Sequence, residues 1–90
     1  MTSAEYNRFA DLLHYGHEVD FIYNGKRYFL ERSNKHEYEL YDMTDESNGM
    51  LLCKITAHNN NLVSLFLNEP IFNGKSFNEI YSLIEQYYID

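Results

Sequence analysis

The apolar residues Tyr6, Phe9, Ala10 and Leu13 recur at i, i+3, i+4 and i+7, which predicts an amphipathic helix over residues 2–14. Thr2 and Glu5 have the spacing of a capping box, in which hydroxyl and carboxylate satisfy free amides at the helix start. Gly16 then supplies the left-handed residue that commonly ends a helix. His14 and His17 lie where a protonated imidazole would favour the negative helix end.

The period changes to two over residues 17–32. Asn24 and Gly25 favour a type I′ turn, because both central residues of that turn need positive φ. A two-residue turn sets Tyr23 opposite Lys26, Phe21 opposite Tyr28 and Val19 opposite Leu30 on one nearly apolar face. Ile22 then opposes Arg27, and Asp20 opposes Phe29, on a mixed one. A slip by one residue would drive Asp20, Arg27 and Glu18 into the core, so the register is strongly specified.

Residues 33–36 form a polar connection, and 38–43 alternate as a third strand with Tyr38 and Leu40 on one side. Residues 44–49 form a link in which Asn48 and Gly49 close a second hairpin. A fourth strand spans 50–57, and consecutive Met50, Leu51 and Leu52 predict cover on both faces at its start. Leu62, Leu65 and Phe66, behind an asparagine cap at 60 or 61, favour a helix over residues 62–68. After Pro70 a third Asn-Gly turn stands at 73 and 74. Ser76 and Glu79 then repeat the capping-box spacing and begin a final helix over 77–88 through Phe77, Ile80, Ile84 and Tyr87. The expected architecture is one α+β domain: a four-stranded antiparallel meander with an N-terminal helix and two C-terminal helices packed on one face.

Ninety residues suffice for one core. Fourteen acids against seven bases give a formal charge of −7, and the imbalance is local. Residues 1–36 hold five of each sign, whereas 37–90 hold nine acids with only Lys54 and Lys75. Glu37, Glu39, Asp42, Asp45 and Glu46 form the densest run, interleaved with Tyr38 and Tyr41. A field of this kind repels nucleic-acid phosphates and steers basic protein surfaces. The absence of an apolar leader or an eighteen-residue apolar run predicts a cytoplasmic protein with no membrane contact.

Little chemistry stands out. Cys53 lies in the file Leu51, Cys53, Ile55, Ala57 and reads as a small core hydrophobe. A metal set from His14, His17 and Glu18 competes poorly with capping and surface roles. The stretch Asn73, Gly74, Lys75, Ser76 lacks the first glycine of a phosphate-binding loop, since Glu69 occupies that position. No catalytic residue, cofactor or metal is therefore assigned. The chain does carry fifteen aromatic residues, nine of them tyrosine, more than so small a core readily hides. Tyrosine suits protein contacts through its ring and its hydroxyl, and Tyr38, Tyr41, Tyr81 and Tyr88 lie off the best core-facing files or beside acids.

The hairpin residues Phe21, Tyr23, Asn24, Gly25, Lys26 and Tyr28, together with Ile71, Phe72, Gly74, Lys75, Ser76 and Ile80, resemble a family of small uncharacterised bacterial and phage proteins. That resemblance implies an α+β fold and brings no catalytic residues. By type, a small acidic chain without an enzyme motif is also similar to phage-borne inhibitors of bacterial defence, including anti-CRISPR proteins, some of which set carboxylates where a nuclease expects phosphates. The expected function is a non-enzymatic interaction module. It would engage a larger basic protein, in the most concrete version a nucleic-acid-binding enzyme, through Glu37, Tyr38, Glu39, Tyr41, Asp42, Asp45, Glu46, Tyr81 and Tyr88. The alternative is an accessory protein that forms a homodimer through an aromatic patch.

Overall fold

The computed structural model describes residues 1–45, 49–58 and 61–89. Helix α1 (Ser3–His14) starts with the expected capping box, in which Glu5 N–H donates to Thr2 Oγ1 at 3.1 Å and Thr2 N–H donates to Glu5 Oε1 at 2.9 Å. It ends in a Schellman motif, with Gly16 at φ 89° and the amides of Gly16 and His17 donating to Leu13 O and Leu12 O. The last carbonyls are met from the sheet. Arg32 Nη1 lies 3.3 Å from both Leu13 O and His14 O, and the Tyr38 hydroxyl also donates to Leu13 O. A fixed guanidinium serves the negative helix end at any pH, which an imidazole cannot.

Strands β1 (Val19–Tyr23) and β2 (Lys26–Asn34) adopt the register that the Asn-Gly turn predicts, with Asn24 at φ 52° and Gly25 at φ 74°. β3 (Glu37–Asp42) and β4 (Met50–Thr56) continue the meander. The predicted turn at Asn48 lies outside the described residues. α2 (Leu62–Asn68) is the expected helix, with Asn61 at its N-cap position. Phe72 and Lys75 then exchange backbone hydrogen bonds around Asn73 and Gly74, both at positive φ, so this Gly-Lys-Ser stretch is a tight turn entering a capped helix.

The four-stranded sheet and the long last helix require correction. α3 (Phe77–Ile80) lasts about one turn, followed by a single 3₁₀ turn at Tyr81–Leu83 and then by β5 (Gln86–Ile89). β5 pairs antiparallel with β1, giving a five-stranded sheet of order β4-β3-β2-β1-β5. The cause is the otherwise unpaired edge of β1. Glu85 N–H donates to Ile22 O at 2.9 Å and leads the chain into the ladder, and Tyr87, Tyr88 and Ile89 favour a strand more than a helix.

One core holds the domain together. Phe9 and Leu13 of α1, Phe66 of α2, and Phe77 and Ile80 of α3 are fully buried against Val19, Leu30, Tyr38 and Leu40 of the sheet. Phe77 is its hub, with ring centroids 4.7 Å from Phe9, 5.5 Å from Phe21 and 5.8 Å from Phe66. All three helices contribute to this one cluster, and the residues on the other face of the sheet are outside it.

Candidate interaction face on the open side of the sheet

Residues directly opposed across an antiparallel sheet project to the same side, so the pairing registers define the open face row by row. One row crosses all five strands: Tyr88, Asp20, Phe29, Tyr41 and Leu51. It is apolar and aromatic apart from Asp20, with Tyr88 and Leu51 at its two ends 68% and 44% exposed. On one side of it lie Gln86, Ile22 and Arg27. On the other lie Glu31, Glu39 and Lys54, and beyond them Glu37 opposite Thr56.

Glu31 and Glu39 oppose each other directly across β2 and β3. Glu39 accepts hydrogen bonds from Ser33 Oγ and the Tyr41 hydroxyl, each at 2.6 Å, and these hold its carboxyl below the usual range. The bond to Glu39, with further opposition from the charges of Glu31 and Glu37, pushes the Tyr41 phenol up to about 12. Tyr41 therefore stays a neutral donor, and the charges of Glu31, Glu37 and Glu39 all act on this one half-buried phenol. Around Asp20 and Arg27 the face is dimpled rather than flat. Two shallow recesses of about 270 and 390 Å³ share Asp20 and Arg27, whose side chains form an ion pair at 3.4 Å.

Of the predicted contact residues, Glu37, Glu39, Tyr41 and Tyr88 share this face. Tyr38 does not: it is fully buried, with its ring under the Arg32 guanidinium and its hydroxyl on α1. The alternation that exposes Glu37 and Glu39 turns the residue between them inward. Asp42 opposes buried Tyr28 on the helix side and accepts from Thr44 N–H at 2.9 Å, and its bonds to Thr44 lower its pKa. Tyr81 is also on the helix side, half-buried and stacked 4.5 Å from Tyr6. Asp45 is exposed beyond β3, and Glu46 lies outside the described residues.

Sequence reasoning placed Asp20, Ile22, Arg27 and Phe29 together on a mixed hairpin face but did not count them as a site. Glu31 and Leu51 were missed as well. The hairpin register already carried the signal for Phe29. The joining of Tyr88 to the row needed β5. The expectation that Met50, Leu51 and Leu52 are covered on both faces also fails, because β4 is an edge strand and all three are exposed.

Reactive groups are few. Cys53 opposes Leu40, and burial pushes its thiol up, away from the nucleophilic thiolate. Among the described residues, no three of the His, Cys, Asp and Glu side chains cluster as a metal site. No described helix is long and apolar enough to cross a membrane.

No protein family, curated protein or solved structure matches the chain. The chemistry of the open face is what remains to indicate a role.

Proposed function

We propose that the protein is a non-catalytic interaction module that seats its open sheet face on a basic, partly apolar surface of a larger protein. The observation that carries this reading is the opposition of Glu31 and Glu39 beside the row Phe29, Tyr41 and Leu51. Like charges directly opposed in a sheet are destabilising, and Lys54, which faces Glu39 from β4, offsets this on one side only. An incoming arginine or lysine turns that repulsion into charge-assisted hydrogen bonds. The aromatic row supplies apolar contact next to it, and the recesses beside Asp20 and Arg27 admit side chains from the partner. A standard interface of about 800 Å² per partner takes a modest share of the 5556 Å² accessible surface.

In its most concrete form the partner is a nucleic-acid-binding enzyme of bacterial defence, with these carboxylates standing where phosphates would bind. The test is phage plating on bacteria that carry such a defence and express the protein. Wild type should restore plating, and Glu39→Lys with Tyr41→Ala should abolish the effect while the protein stays folded. Unchanged plating across nuclease-based defences, or full activity in the double variant, would sink this reading.

The alternative is a homodimer through the same row. Met50, Leu51 and Leu52 favour it, because they carry the apolar surface to the free edge of β4. Sedimentation equilibrium would then show a dimer that Leu51→Asp dissociates.

A further inference from the structure

A second place on the molecule brings two side chains of one chemistry together, independently of the open face. Near the end of the β3–β4 ladder the rings of His36 and His58 lie with centroids 5.9 Å apart and planes at 50°. The His36 amide donates to Asn34 Oδ1 at 2.8 Å instead of joining the ladder. The His36 ring takes its place there, with Nδ1 3.1 Å from Ala57 O, while Ala57 N–H donates to His36 O at 2.9 Å. A carbonyl oxygen can only accept, so Nδ1 carries the hydrogen. In the neutral ring the lone pair is then left on Nε2.

We propose that His36 and His58 chelate a divalent transition cation of the Zn²⁺ or Cu²⁺ kind. Imidazole nitrogen is a preferred ligand for both ions. A ligating histidine typically donates its other ring N–H to a carbonyl or carboxylate, which sets the tautomer and the ring direction. The bond from His36 to Ala57 O already provides this arrangement. With metal–nitrogen bonds of about 2.0–2.1 Å, two imidazoles on one ion place their ring centroids roughly 5–6 Å apart. The observed separation of 5.9 Å lies in that range, and the His58 side chain is exposed. Water fills the remaining coordination positions. The bound ion would tie the start of β3 to the chain leaving β4 and leave open positions facing solvent.

The test is titration of the full chain with Zn²⁺ and, separately, Cu²⁺, followed by calorimetry and by NMR of the imidazole resonances. One ion per chain is expected, bound more tightly as Cu²⁺ than as Zn²⁺, with the His36 and His58 resonances shifting together on Zn²⁺ and broadening together on Cu²⁺. His58→Gln, at an exposed position that leaves the ladder intact, should weaken binding about tenfold or more. The control His14→Gln with His17→Gln should leave it unchanged. Absence of binding by either ion, or binding that survives His58→Gln, would overturn the proposal.

Discussion

The Tyr87 hydroxyl donates a hydrogen bond to the Glu5 carboxylate, joining the last strand to the first turn of α1. Together with the bonds from Thr2, it holds the Glu5 pKa down from 4.5 to about 2. A lowered folded-state pKa means that the unfolded chain takes up the proton first as pH falls. The contribution is therefore complete above pH 4.5 and is lost as pH falls toward about 2. Thermal melts across that window should show a shallower acid decline for Tyr87→Phe than for wild type. Equal slopes would mean that Glu5 gains nothing from Tyr87.

Phe77 touches rings from α1, α2 and the sheet at once, so its neighbours cannot collapse into the space it would leave. Phe77→Ala should cost about 3–5 kcal/mol, a large part of the stability of a domain this small. Urea unfolding measures it. A loss near 1 kcal/mol, well under the range for such truncations, would show that the core relaxes.

Arg32 donates to the carbonyls of Leu13, His14, Asn34 and Lys35. Arg32→Met keeps much of the stem but leaves those acceptors without their charged donor, at an expected cost of about 1.5–3 kcal/mol. Arg27→Met removes the more exposed pair with Asp20, and for such a surface pair about 0–1 kcal/mol is expected. Comparable losses for the two variants in urea unfolding would contradict the capping role.

Glu31→Lys replaces a like-charge opposition with an attractive one toward Glu39. The isolated protein should become more stable and, on the proposed function, lose plating activity. A variant that is more stable and less active would indicate that the opposition is retained for binding. One that is destabilised would mean the two carboxylates do not repel in the folded state.

Local chemistry made much of this fold legible. Asn24 and Gly25 set the register of five residue pairs, because a two-residue turn with positive φ leaves no other alignment. Thr2 with Glu5 marked a helix start, and Gly16 marked a helix end. The last segment misled for a physical reason. Phe77, Ile80, Ile84 and Tyr87 do fall at helical spacing, but Ile84 is buried at the end of the 3₁₀ turn, and from Glu85 onward the backbone finds its hydrogen bonds on β1 instead, with Tyr87 opposite Phe21. Of the proposed face, Glu37, Glu39 and Tyr41 were readable from alternation and charge. The burial of Tyr38 followed from that same alternation and was overlooked among the acids around it.

By itself the sequence determined the turns, the caps, the hairpin register and the accumulation of acid after residue 36, since each depends on neighbours a few positions apart. Only the tertiary structure decided that one face of the sheet lies open, that Tyr88 joins Tyr41 in a single row, and that Glu31 meets Glu39. Those outcomes depend on which edges find partners and which side the helices cover. Both are settled by burial and backbone pairing between segments far apart in the chain.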